Sequence, residues 1–430
     1  MRKFRDIYLI VLLAFLSVSC DWLGPKEKKV DPENVMIFVS AGFNNLSSYL
    51  KQDIEDLKTG YIPAKNDKNV LLVLGHHLDG GYNKPTSPRL VRLYKDKDVF
   101  VCDTLLSLSE GARLTDREVF HEFMVYIQET FPAEHCGMVL SSHATGWLPC
   151  GYYNNPKSYE STSSGDGLLR APSSAGRSSI FAHEYPEQDP SLPLTKSIMF
   201  EKIGNDLGEE MEISAFADAI PMHLEYMLFD CCLMGGIEVA YSLRGVTDLV
   251  GFSQTEIMSE GFDYVNLAGR LLGEYPSPKS VCEDYIYLYQ SFTGTYSSAT
   301  ISLVDTRHLG DLAALCKGYF EKYREEIAAL DPGDVQCFGG TKRYFFDLED
   351  VLEKAGMDPD EKEALNVVLS QCIVYKGTTG QYYSATDSST HKVDAFCGLS
   401  MFMPSAGTAF LNGFYSTLDW NKDTDLITNN

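Results

Sequence analysis

The chain predicts an α/β fold: a mostly parallel sheet flanked by helices, with a more helical C-terminal part. Three observations carry this. Short, wholly apolar runs such as residues 35–39 and 70–74 are the pattern of strands buried on both faces. Helical patterns alternate with these runs in the order β-α-β-β-α-β up to residue 140, which argues for crossovers and hence parallel strands. A length of 430 residues with 44% hydrophobic content supplies a substantial core and allows two or three domains.

In chain order, residues 35–39 (Val-Met-Ile-Phe-Val) read as a buried strand. A helical pattern follows through Leu46, Tyr49, Leu50, Ile54 and Leu57, with Gly60 as its stop. Residues 70–74 form the second strand and end in Gly75-His76-His77. Residues 90–106 alternate like a strand pair, turning at Lys95-Asp96-Lys97-Asp98. Thr115-Asp116-Arg117-Glu118 reads as a capping-box start for a helix carrying Val119, Phe123, Tyr126 and Ile127. Residues 136–140 form the next strand, after which regularity lapses over 149–205, a Ser- and Gly-rich stretch. A loop of that length inside a compact domain is usually functional or disordered. Helix (213–220), strand (224–229), helix (234–243) and strand (246–252) then alternate. Helices over 264–272 and 280–291, a strand over 299–304, a long helix over 309–330, helices over 348–353 and 360–369, and a late strand over 397–403 complete the chain. A soft boundary near residue 295 separates a sheet-rich part (35–295) from the C-terminal part (296–430).

The N-terminus has its own character. Arg2, Lys3 and Arg5 precede a continuous apolar run over 7–18 that is too short to span a bilayer, the pattern of a signal peptide over 1–20. Leu16-Ser17-Val18-Ser19-Cys20 is similar to a lipoprotein processing site, with the leucine one place early. Cys20 is then the expected lipidation point and residues 21–34 a polar tether holding the body off the membrane. A net charge of −24 argues against non-specific nucleic-acid binding and favours cationic partners. The ten cysteines after Cys20 show neither dense spacing nor C-x-x-C pairs, so neither a disulfide scaffold nor a zinc ribbon is indicated. Cys316 and Cys372 sit within apolar patterns and read as core thiols.

The stretch richest in chemistry is Leu228-Phe229-Asp230-Cys231-Cys232-Leu233-Met234-Gly235-Gly236, an apolar strand meeting an acid, two thiols and two glycines before a helix. Sites form at the carboxyl ends of strands in open α/β sheets, and a cysteine at a helix mouth gains thiolate character. Locally, Cys232 reads either as a nucleophile or as one of two buried structural thiols. A thiol nucleophile needs a base within hydrogen-bond reach. His143 ends the strand over 136–140 and offers one, while His76 and His77 end another strand and compete. His121 lies on a helix, and the remaining histidines sit in polar or connecting stretches. A zinc hydrolase using His76, His77 and Asp79 lacks the helical spacing of a metallohydrolase.

Ser142-His143-Ala144-Thr145-Gly146-Trp147 together with Asp230-Cys231-Cys232-Leu233-Met234 resembles the clostripain family of cysteine peptidases, whose motifs are D-H-G-x-G-W and D-x-C-L-M followed by a helical glutamate, here Glu238. Gly261-Phe262-Asp263-Tyr264, Phe346-Asp347-Leu348 and residues 398–404 match further family segments, and the likeness runs in order over about 35–405. The resemblance implies a caspase-like fold, His143 as catalytic histidine, Cys232 rather than Cys231 as nucleophile, and Asp230 at the floor of a pocket for Arg or Lys before the cut. Glu260 and Asp263 would add charge to that pocket or serve as plain loop acids. The family matures by cutting itself between the histidine and the cysteine, where Lys157, Arg170 and Arg177 are candidate sites. No cofactor is required by this chemistry and no metal site is expected, although calcium activates members of the family. Asp419 to Asp425 alternates oxygen ligands yet reads as an acidic tail. Ser142 and Ala144 depart from the family's Asp and Gly; the second puts backbone geometry after His143 in question. The expected protein is therefore an Arg- or Lys-directed cysteine endopeptidase on the bacterial cell envelope. The alternative is a non-catalytic lipoprotein binding basic peptides on the same scaffold.

Overall fold

The predicted apolar runs become the middle of one large sheet in the computed structural model, which describes residues 31–42, 46–76, 78, 87–109, 111–154, 156–160 and 210–428. The described strands include β1 (Asn34–Ser40), β2 (Asn69–Gly75), β3 (Arg89–Asp96), β4 (Val99–Ser107), β5 (His135–Ser141), β6 (Leu224–Asp230), β7 (Thr247–Phe252), β8 (Thr300–Asp305), β9 (Phe346–Asp347) and β10 (Ile373–Thr378). All but β9 join a nine-stranded sheet in the order β10-β8-β7-β6-β5-β1-β2-β3-β4. Pairs within β7-β6-β5-β1-β2 are parallel, and the strands outside that block pair antiparallel. The parallel block is apolar because helices cover it: β1 buries every residue from Val35 to Ser40. Edge strand β4 has no buried residue, and its solvent-facing Val99 and Phe100 fit an outermost strand.

The helix Ser47–Thr59 packs against Tyr264–Leu272, which also contacts β1 and β2, and Phe38 meets Tyr264 at 5.2 Å between ring centroids. A second cluster joins Ile213–Asp218, Ile237–Leu243, Leu309–Lys322 and Asp419–Thr424, with Trp420 fully buried within it.

Register sets what the sheet presents at its carboxyl edge. Ser40 pairs with Gly75 and with Ser141, and Ser141 pairs with Asp230. Four neighbouring strands therefore end level at one edge of the sheet, the edge at which sites form in open α/β sheets.

Several expectations change. The helix after residue 115 is capped by Asp116, whose side chain accepts from Glu118 N and Val119 N, and not by Thr115. The long helix over 309–330 breaks at Tyr323 into Leu309–Lys322 and Arg324–Ala329, because Tyr323 leaves helical geometry at φ −107 and ψ 19. The late strand shrinks to Ser400–Met401, which pairs with β9 outside the main sheet. The acidic stretch from Asp419 is a helix in the core and not a tail, because Trp420 buries and Tyr241 donates to Asp423 at 2.5 Å. Beyond residue 295, β8 and β10 continue the nine-stranded sheet. Cys316 and Cys372 are buried thiols as read. Residues 1–30 and 161–209, and with them Cys20, Arg170 and Arg177, lie outside the described residues, as do His77 and Asp79.

Candidate active site

His143 lies two residues beyond the end of β5, and Cys232 two residues beyond the end of β6. Because Ser141 and Asp230 are register partners on adjacent parallel strands, the two side chains leave the sheet at the same level. Parallel neighbours run about 4.8 Å apart, so equal offsets bring the two loops side by side. Both side chains are buried. The tandem thiols part company here. Cys231 donates its S–H to Leu140 O on β5 at 3.4 Å, whereas Cys232 faces the segment after β7. There the Cys232 sulfur accepts Ile257 N–H at 3.1 Å, and its thiol proton reaches Ile257 O at 3.7 Å.

Two backbone features explain the residues around the pair. Leu233, directly after Cys232, is held at φ 59, with its N–H bound to Thr255 O at 3.0 Å. A branched side chain in left-handed geometry persists only where the surroundings impose it, and such outliers gather at functional sites. Opposite it, Gly146 sits at φ 63, and a Cβ there would stand 2.5 Å from Leu233 O and 2.9 Å from Phe345 Cε1. Position 146, directly before Trp147, therefore requires glycine: the histidine loop crosses the cysteine loop backbone to backbone at this point. Ala144 is absent from the left-handed residues, so alanine causes no strain where the family pattern has glycine.

Asp230, the last residue of β6, is fully buried. Its Oδ2 accepts from Tyr264 OH at 2.5 Å and from Ser141 Oγ at 3.2 Å, and Ser141 Oγ also lies 3.1 Å from Asp53 Oδ2. Asp53 and Asp230 are both buried. One hydroxyl has one proton, so Ser141 serves the two carboxylates alternately. Asp53 comes from the helix Ser47–Thr59, on the same face as Leu50 and Leu57. Tyr264 belongs to the Gly261-Phe262-Asp263-Tyr264 segment, and its neighbours Glu260 and Asp263 point to other partners. Asp263 instead caps the helix Tyr264–Leu272 through Asn266 N, and Glu260 is exposed beside Ser259. Burial and the Asp230 and Asp53 charges push the Tyr264 phenol well above its ordinary value, keeping it a donor.

The clostripain family model, Peptidase_C11, matches residues 38–166 and 185–425. The chain is a cysteine peptidase of the clostripain family. Among solved structures it is similar to an inactive zymogen C11 protease from Parabacteroides distasonis, with 24% identity, a TM-score of 0.70, and coverage of 92% of this chain and 99% of that one. It is likewise similar to a secreted C11 cysteine protease from Bacteroides thetaiotaomicron, "iotapain", with 22% identity, a TM-score of 0.71 and the same two coverages. At these identities the structures establish the caspase-like fold. No curated protein matches the chain.

Two half-buried acids, Glu210 and Glu212, tie the chain before the long loop to the chain after it. Glu212 Oε1 accepts Cys150 N–H at 3.3 Å, Glu210 Oε2 accepts Gly151 N–H at 2.8 Å, and Tyr159 donates to Cys150 O. Burial raises the Glu210 carboxyl to about 7 and pushes Glu212 in the same direction. Lys157 is exposed on the single turn Pro156–Glu160 at the start of this loop. On the far side, Glu238 is buried in the helix after Cys232 and raised by burial to about 7. His76 is buried beyond β2. Among the described residues no group of three or more His, Cys, Asp or Glu side chains is placed to hold a metal ion.

Proposed function

We propose that this peptidase cuts internal peptide bonds after Arg or Lys, with Cys232 as nucleophile and His143 as its acid–base partner. The equal offset of the two residues past register-paired strands is the observation that supports the pair most directly. The Cys232 thiolate attacks the scissile carbonyl carbon, and the C=O electrons move onto oxygen. As the C–N bond breaks, the His143 imidazolium gives its proton to the leaving amine, leaving a thioester. Water, deprotonated by His143, attacks the thioester; the acid product leaves and the thiolate–imidazolium pair returns. The Leu233 N–H is engaged with Thr255 O, so the oxyanion donors are read as the amide of Cys232 and those of the segment after His143.

Asp230 and Asp53, gathered on one hydroxyl beside the nucleophile loop, support a basic residue before the cut. An arginine fork or a lysine ammonium brings the cation that two buried carboxylates favour, and a neutral side chain leaves them without it. Maturation by cutting at Lys157, Arg170 or Arg177 follows from the same preference, and calcium is read as an activator without a chemical role. Export with a lipid anchor on Cys20 completes the proposal, supported by the N-terminal pattern and by a family neighbour described as secreted.

Wild type and Cys232→Ala are to be compared on an Arg-containing fluorogenic peptide under reducing conditions, with and without calcium. The expected outcome is loss of hydrolysis to background in the variant, with the chain between 149 and 205 uncut. Binding of the basic peptide without turnover by wild type would favour a non-catalytic capture protein instead.

A further inference from the structure

Glu238 has no part in the chemistry just described, yet it is fully enclosed behind the cysteine loop. Its Oε1 accepts Phe402 N–H at 2.8 Å and Tyr415 OH at 2.8 Å. The rings of Phe402 and Tyr415 clasp Trp147, with centroids at 4.9 and 5.1 Å, and lie 4.8 Å from each other. Trp147 follows Gly146, the residue that meets Leu233 O, and so belongs to the histidine loop. A Cβ built on Gly236 would stand 2.8 Å from Glu238 Oε2 and 3.7 Å from Trp147 Cδ1, so only glycine lets carboxylate and indole approach the cysteine loop together. Ser400 closes the same joint by donating its N–H to Gly235 O at 2.8 Å.

We propose that Glu238 is a positioning residue: it sets the histidine loop against the cysteine loop by fixing the Phe402–Tyr415 clasp in which Trp147 is held. The inference rests on the Cys232–His143 reading, but not on the preference for Arg or Lys. What matters is the reach of the side chain and one oxygen able to accept twice. Two substitutions separate reach from charge. Glu238→Gln keeps the length and a carbonyl oxygen for Phe402 N and Tyr415 OH; Glu238→Asp keeps the charge but is one methylene short. A displacement on the order of 1 Å between reacting groups costs about 100-fold in rate.

The test measures kcat and KM on the Arg peptide, together with the pH profile of Cys232 alkylation by iodoacetamide, with thermal melting run alongside. The expected result is Glu238→Gln within about fivefold of wild type in kcat, and Glu238→Asp about 100-fold lower with KM within about twofold. In Glu238→Asp, alkylation at acidic pH should drop to that of an isolated thiol. Tyr415→Phe, which removes one of the two donors, should lie between them. The reverse order, with Asp active and Gln inactive, overturns the proposal, as does a kcat loss in every variant that merely follows melting temperature. If wild type leaves Arg and Lys peptides uncut while the alkylation order holds, the specificity reading falls and the positioning role stands.

Discussion

At the scale of single residues, the informative fact is that Ser141 stands between two acids. Its hydroxyl lies 3.2 Å from Asp230 and 3.1 Å from Asp53, so two buried acids meet where the D-x-C motif announces one. Removing either carboxylate should weaken selection of a cation, but unequally. Asp230, which also accepts from Tyr264, sits at the strand end beside Cys232, and Asp53 reaches in from a neighbouring helix. We expect Asp230→Asn to lower kcat/KM for an Arg substrate by about 100-fold or more, the loss typical of a buried charge pair missing one partner. Asp53→Asn should lower it by about 10-fold. Paired Arg and citrulline peptides check this: both variants should narrow the ratio between the two, and an unchanged ratio would remove these acids from specificity. The motif made Asp230 legible in the sequence. Asp53 left only a weak signal: three residues after Leu50 and four before Leu57, it falls on the buried stripe of its helix, whereas Glu55 and Asp56 lie off that stripe.

At the scale of elements, the site is a crossing of two loops launched by β5 and β6. The crossing is tight at Gly146 and Leu233, and both residues are in left-handed geometry. Gly146→Ala should therefore act twice, through backbone strain and through contact with Leu233 O. The strain alone costs about 1–2 kcal/mol, and the displaced histidine loop should lower kcat by about 100-fold. Urea unfolding and steady-state kinetics on the same preparation measure the two effects. Full activity with wild-type stability would mean that the loops do not depend on each other here. The parallel strands were legible because burial on both faces leaves an uninterrupted apolar run. The short β9 ladder and the edge strand β10 were not, since two residues carry no period and β10 alternates only partly buried positions.

At the scale of the whole molecule, buried acids set the response to pH. Burial raises Glu210 and Glu238 to about 7 and Asp347 to about 6, against 4.5 and 3.8 for the same groups in solvent. Between those limits the folded protein keeps a proton that the unfolded chain has released, so stability falls as pH rises through the window. Depressed acids such as Glu361, held at about 2 chiefly by hydrogen bonds from Lys322 and Tyr323, lose their contribution only far below it. Melting temperature should accordingly fall between pH 5.5 and about 7.5, and Glu210→Gln, which removes one such acid, should flatten the slope. A melting temperature that climbs through this range would contradict the assignment. Lowering the pH also neutralises Glu210, one of the two acids that tie residues 150 and 151 to the far end of the long loop.

By itself the sequence determined the layered α/β class, the order of the central elements and the His143 and Cys232 motifs, because each is written as local period or local residue type. Tertiary structure decided what those motifs lean on. Asp53, Ser141, Phe402 and Tyr415 reach the site or its supports from elements far apart along the chain, and no local pattern encodes a meeting of that kind. Strand register supplied the remaining step: pairing Ser141 with Asp230 turned two separate motifs into neighbours at one edge of the sheet.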